Sequence, residues 1–131
     1  LTGFDQEADV VILTYGGMVP FALDAARQLF IDEELSVEVH VLSLLSPLPQ
    51  SEIDAILKRG RRFVPLEGGT LRGGWGAEMA ARLHEDAQRP IRVERVGAMD
   101  TIIPGTESGE AWALPSLDRV VAAARRAMTH G

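Results

Sequence analysis

Hydrophobic and polar positions along this chain follow two alternating periods. Residues 9–15, DVVILTY, are almost wholly apolar and rich in β-branched side chains, which predicts a strand buried on both faces. Gly16 and Gly17 interrupt the run. Val19, Leu23, Ala26 and Phe30 then recur at helical spacing, Ala22 and Leu29 widen the stripe, and Pro20 suits a first turn. Residues 36–42, SVEVHVL, alternate cleanly, with Val37, Val39 and Val41 on one face and Glu38 and His40 on the other. That pattern predicts a less buried strand nearer a sheet edge.

A proline-bearing loop, SLLSPLPQ, leads to a second helix marked by Ile53, Ile56 and Leu57. Glu52 and Asp54 lie in its first turn, and Lys58 and Arg59 precede Gly60, in agreement with the helix dipole. RFVPL at 62–66 reads as a third strand, ending at Glu67 and the glycine-rich loop GGTLRGGWG. Trp75, Met79, Ala80, Leu83 and Ala87 mark a third helix that Pro90 stops, and IRVERV at 91–96 alternates as a fourth strand. Residues 97–115 are irregular, with Pro104, Gly105, Gly109 and Pro115. Ser116 is a good N-cap for a last helix carrying Leu117, Val120, Val121, Ala124 and Met128. Four strand–helix units predict a parallel sheet covered by helices on both faces.

Composition narrows the chemistry. The 131 residues suit one domain, and hydrophobic (46%) and charged (24%) fractions are those of a folded globular chain. A net charge of −6 argues against a nucleic-acid or anionic-membrane partner. The absence of cysteine excludes disulfides and thiolate sites. There is no Asn, and Lys58 is the only lysine. No apolar run approaches a membrane span and no signal peptide is visible, so the expected location is cytoplasmic. The chain begins at Leu1, and its first eight residues read as the tail of something larger.

The densest group of special residues is Gly68, Gly69, Gly73, Gly74, Trp75, Gly76 and Glu78, where a strand end meets a helix start. Such a junction can bind an anion through free helix N–H groups, or it can be a tight turn at an interface. It fails the named phosphate motifs: Met79 replaces the third glycine of a dinucleotide fingerprint, and Gly74 and Trp75 stand where a P-loop needs Lys and Ser/Thr. Glu67 and Glu78 can be read as an acid–base pair, or as a loop cap and a dipole partner. His40, His84 and His130 are too scattered for a metal site.

The stretches DVVILTYGGMVPFALDAA, SVEVHVLSLLSPLPQSEI, GRRFVPLEGG, GGWGAEMAARLHE, VGAMDTIIP and LPSLDRVVAAARRA occur in a telling order. That order resembles the C-terminal domain of the transketolase-like thiamine-diphosphate enzymes. It is most similar to the beta subunit of the 2-oxo acid dehydrogenase decarboxylases, of pyruvate or branched-chain type. The resemblance implies one domain over 1–131, cut from a longer subunit, with a three-layer α/β/α sandwich. Its sheet would be mostly parallel and five-stranded, with one antiparallel strand at or before residues 1–5. It also implies a module without catalytic, cofactor-binding or metal-binding residues of its own, whose parent, an oxidoreductase or a transketolase-type transferase, uses thiamine diphosphate and Mg²⁺. Implied partners are other domains and subunits of an oligomeric parent and the acyltransferase core. Ile102, Ile103 and Trp112 form a candidate docking loop. Three other readings stay open: a module of a transketolase or deoxyxylulose-phosphate synthase, a free-standing anion- or small-molecule-binding domain using loop 68–76, and an enzyme with Glu67 or Glu78 as base.

Overall fold

A computed structural model describes residues 6–42, 49–70, 75–98 and 117–130. The elements are β1 (Val10–Thr14), a 3-10 turn (Gly16–Met18), α1 (Val19–Glu33), β2 (Val37–Val41) and α2 (Gln50–Leu57). They continue with β3 (Arg62–Thr70), α3 (Trp75–Asp86), β4 (Arg92–Val93), β5 (Val96–Ala98) and α4 (Leu117–His130). The sheet order is β2–β1–β3–β4, with β5 also on β3, and every strand pairing among the described residues is parallel.

The unbroken apolar run of β1 follows from this order. All five of its residues are buried, because strands flank it on both sides and helices cover both faces. Val10 and Ile12 join Val64, Leu66 and Val96 under α1 and α4. Val11 and Leu13 join Phe63 under Ile53 and Ile56 of α2 and Met79 and Leu83 of α3. Alternation along the strands thus divides the core into two halves, and the predicted three layers stand.

Three expectations change. The stripe assigned to α1 is rotated: Ala22, Ala25 and Leu29 are buried, whereas Leu23 is half exposed and Phe30 is 54% exposed. Small alanines face the sheet and the Val120, Ala123 and Ala124 surface of α4, which permits close helix packing and turns the larger side chains outward. The third strand does not stop at 66 but runs through Glu67, Gly68 and Gly69 to Thr70, because β5 extends its ladder. The fourth strand is split into β4 and β5. The register shifts between Leu66↔Val96 and Thr70↔Ala98, a bulge that sits at the glycines.

The antiparallel strand that the resemblance implied falls outside the described residues. So do Gly73, Gly74, Ser116, most of SLLSPLPQ, and the docking segment with Ile102, Ile103 and Trp112. No described helix is long and apolar enough to cross a membrane.

Candidate functional site

The chain leaves β1 through α1 towards β2, and leaves β3 through α3 towards β4, on the opposite side. The carboxyl ends of β1 and β3 are therefore the topological switch point, where the flanking connections diverge and parallel sheets hold ligands. Thr14, fully buried at the end of β1, ties the two strands together. Its Oγ1 donates to the carbonyl of Leu66 at 3.0 Å.

Glu67 follows Leu66 and is only 1% exposed. Its Oε2 accepts the backbone N–H of Gly76 in the first turn of α3, so the carboxylate caps the helix from inside the fold. Its Oε1 has no donor among the described residues, and neither has the buried indole N–H of Trp75 an acceptor. Burial pushes the Glu67 carboxyl above its ordinary value, while the Gly76 bond and the Arg95 guanidinium pull it back. Tyr15 stands edge-on to Trp75, with ring centroids 5.1 Å apart and planes at 78°. Its phenol is raised too, first by burial and then by the charge of Glu67.

Gly76 is the glycine this geometry requires. A Cβ there would lie 2.8 Å from Glu67 Oε2 and 3.1 Å from Arg95 Nε. Gly68 carries no such constraint: it is exposed, and a Cβ on it would meet no atom within 4 Å. Gly69 lies on β3. Glu78 is exposed in the first turn of α3, so it complements the dipole and makes no pair with buried Glu67. Thr14, Tyr15 and Arg95 were not foreseen at this site. Their one signal was position at strand ends, and it became readable only with the strand order.

Two surface features lie elsewhere. A groove of about 440 Å³ runs between α1 and β2, lined by Leu23, Ala26, Phe30, Val37 and Val39. Phe21, Ile31 and Val41 are exposed as well, and β2 pairs only with β1 among the described residues. A second groove, of about 490 Å³, opens at the last turns of α2 and α3, with Leu57 and Ile91 beside Asp54, Lys58, Asp86 and the Glu7–Arg89 pair. Among the described residues no three His, Asp or Glu side chains gather as metal ligands.

Comparison with known proteins agrees with this architecture. The family described as the C-terminal domain of transketolase matches residues 5–120. A pyruvate dehydrogenase E1 component subunit beta-1, mitochondrial, of Arabidopsis thaliana is 36% identical over 121 residues, 91% of this chain and 33% of the relative. The E1 subunit beta of Staphylococcus aureus is 33% identical over 122 residues, 92% of this chain and 37% of the relative. The chain thus spans about a third of the length of these relatives. Among solved structures, a split-gene transketolase described as an inactive beta4 tetramer superposes with a TM-score of 0.81 at 28% identity, covering 98% of this chain and 42% of that one. With most of its length matched and its parallel three-layer fold shared, this chain belongs to the transketolase C-terminal domain family.

Proposed function

We propose that this domain is a non-catalytic C-terminal module of a thiamine-diphosphate-dependent enzyme, most closely the beta subunit of a 2-oxo acid dehydrogenase decarboxylase. Its task in that parent is to hold domains and subunits together. The observation that carries the reading is the apolar face of α1 and the β2 edge, where Phe30 is 54% and Ile31 68% exposed. Exposed apolar side chains of this size beside a groove that also carries Arg27, Ser36 and Glu38 favour burial against another protein surface. In this reading thiamine diphosphate and Mg²⁺ are held by other parts of the parent. The groove beside Asp54 and Asp86 suits a basic segment of a further partner, such as the acyltransferase core. The free-standing anion-binding reading is weakened by Glu67, whose carboxylate already takes the Gly76 amide. A transketolase parent draws support from the split-gene structure, but the relatives of highest identity named above are E1 beta subunits.

Two measurements test this. Phe30→Asp together with Leu23→Asp should leave the chain folded, because both side chains already face water, and should abolish its association with the remainder of the parent in sedimentation. Unchanged association removes the proposed face. Calorimetry of the 131-residue chain with thiamine diphosphate and Mg²⁺ should show no binding near the micromolar range, and a Kd of about 1 μM would overturn the module reading.

A further inference from the structure

Among the described residues β2 is the outer strand of the sheet, and its edge is little guarded. It has no Pro, no Lys and no break in its register with β1, and three of its five residues are valine. An edge of that kind is a template for another strand. The direction of its backbone groups follows from the ladder with β1. The Leu42 N–H donates to the Thr14 carbonyl at 2.9 Å, and the Ser36 carbonyl accepts the N–H groups of Asp9 and Val10. Even-numbered residues thus spend their backbone groups on β1, and Val37, Val39 and Val41 turn theirs outward.

The side chains decide which strand fits there. Val37 and Val39 lie on the α1 face and line the groove that Leu23, Ala26 and Phe30 overhang. Glu38 and His40 lie on the α2 face, where Arg59 Nε donates to Glu38 at 2.9 Å and His40 Nε2 is 3.2 Å from Glu52 Oε1. When two identical strands pair antiparallel about Val39, the outward valines meet in hydrogen-bonded positions. Val37 then faces Val41 of the copy, and Val39 faces its own counterpart. Glu38 stands opposite His40 of the copy in the closer, non-hydrogen-bonded positions, a carboxylate against a ring that donates. Centring the pair on Glu38 or on His40 sets like residues opposite each other instead. A register between residues turns outward groups towards spent ones. Backbone and charge agree in the Val39-centred register alone.

Five edge residues make a small contact, whereas stable interfaces bury about 1,200–2,000 Å² in total. The axis of the pair stands perpendicular to the sheet, so α1 of both copies lies on one face. Leu23 and Phe30, 50% and 54% exposed, are thereby brought towards their counterparts and enlarge the contact.

We propose that two copies of this chain pair through β2, antiparallel and centred on Val39, to form one continuous sheet. The proposal rests on the reading of α1 and β2 as an assembly face and names a second copy as its occupant.

The test is sedimentation equilibrium of the 131-residue chain, joined to hydrogen exchange at the Val37, Val39 and Val41 amides. A reversible dimer should form with a Kd below about 100 μM, and the three amides should gain protection as it forms. His40→Glu sets carboxylates opposite each other across the axis and should raise the Kd about tenfold or more. Glu38→Lys sets a cation against His40 of the copy and should weaken self-association as well. Mixing the two variants places opposite charges together again and should restore a dimer of one chain of each kind.

A chain that stays monomeric up to about 1 mM overturns the proposal. Protection of the three amides in that monomer would assign the edge to the chain's own residues. A dimer that leaves these amides exchanging freely, or that neither variant weakens, overturns it equally. If the chain alone is monomeric and Leu23→Asp with Phe30→Asp still abolishes association with the remainder of the parent, the assembly face stands and only its proposed occupant falls.

Discussion

The two ends of the sheet each carry a glutamate that holds neighbouring segments together, and they do it by opposite physics. At the carboxyl end, Glu67 is buried and answers a backbone amide, and desolvation drives its carboxyl above the ordinary value. At the amino end, Glu7 lies in water, bonded at 2.8 Å by both Nη1 and Nη2 of Arg89, which holds its carboxyl below the ordinary value. Arg89 also reaches the Gly60 carbonyl at 3.2 Å, so the pair joins the chain before β1 to the loops before β3 and β4. The shorter list of contacts belongs to the more consequential residue. An exposed ion pair gives up little on leaving water and gains little, whereas a buried acceptor cannot be removed without stranding its donor.

The largest test of this contrast is at the amide that Glu67 answers. Gly76→Val places a branched side chain where Glu67 Oε2 and Arg95 Nε lie within 3.1 Å of the Cβ position. It should cost about 2–3 kcal/mol in urea denaturation. A midpoint matching the parent would show that the carboxyl end yields as easily as a surface.

Next comes the carboxylate itself. Glu67→Ala leaves the Gly76 N–H without its acceptor and should cost about 1–3 kcal/mol. Glu67→Gln retains an acceptor and removes the buried charge, so it should lie within about 0.5 kcal/mol of the parent near neutral pH. Equal losses for both variants would place the role of Glu67 in its charge rather than in the hydrogen bond.

The smallest effect separates the two ends by pH. Glu67 has a folded value above the ordinary 4.5, so its contribution is complete below 4.5 and is lost as pH rises through the raised value. Glu7 has a folded value below 4.5, so its contribution is present above 4.5 and is lost as pH falls through the lowered value. Denaturation midpoints against pH should therefore lose the loss on the alkaline side of 4.5 in Glu67→Gln, and the loss on the acid side in Glu7→Gln. The Glu7 effect should stay within about 0.5 kcal/mol, because both partners are largely solvated. A steeper acid-side loss from Glu7 than alkaline-side loss from Glu67 would reverse the comparison.

Much of the fold was legible without coordinates, and the site was legible only in part. β1 could be read because burial on two faces leaves an unbroken apolar run, and the alternation of β2 marked a less buried edge strand, although Val37 to His40 are all half-buried and Val41 is exposed. Glu67 and Gly76 were both singled out as residues of a strand-to-helix junction. Their bond could not be read, because nothing in the spacing of nine residues says which way a carboxylate turns. Tyr15 passed unnoticed, since its partner Trp75 lies sixty positions away in the chain and meets it only across two strand ends.

What the sequence determined by itself are the features set by local period and by composition: the strand-and-helix units, the acidic first turns of α2, α3 and α4 at Glu52, Glu78 and Asp118, and the exclusion of thiol chemistry. What tertiary structure alone decided is which side of an ambiguous helix goes inward and which distant residues share a site. On α1 the stripe through Leu23 and Phe30 was as regular as the one through Ala22, Ala25 and Leu29. Packing against both the sheet and α4 selected the smaller residues, because a helix wedged between two neighbours is placed by how closely its backbone can approach them. The switch point likewise exists only once β1 lies beside β3. Strand order is a contest among long-range pairings, and no local window of the chain contains both competitors.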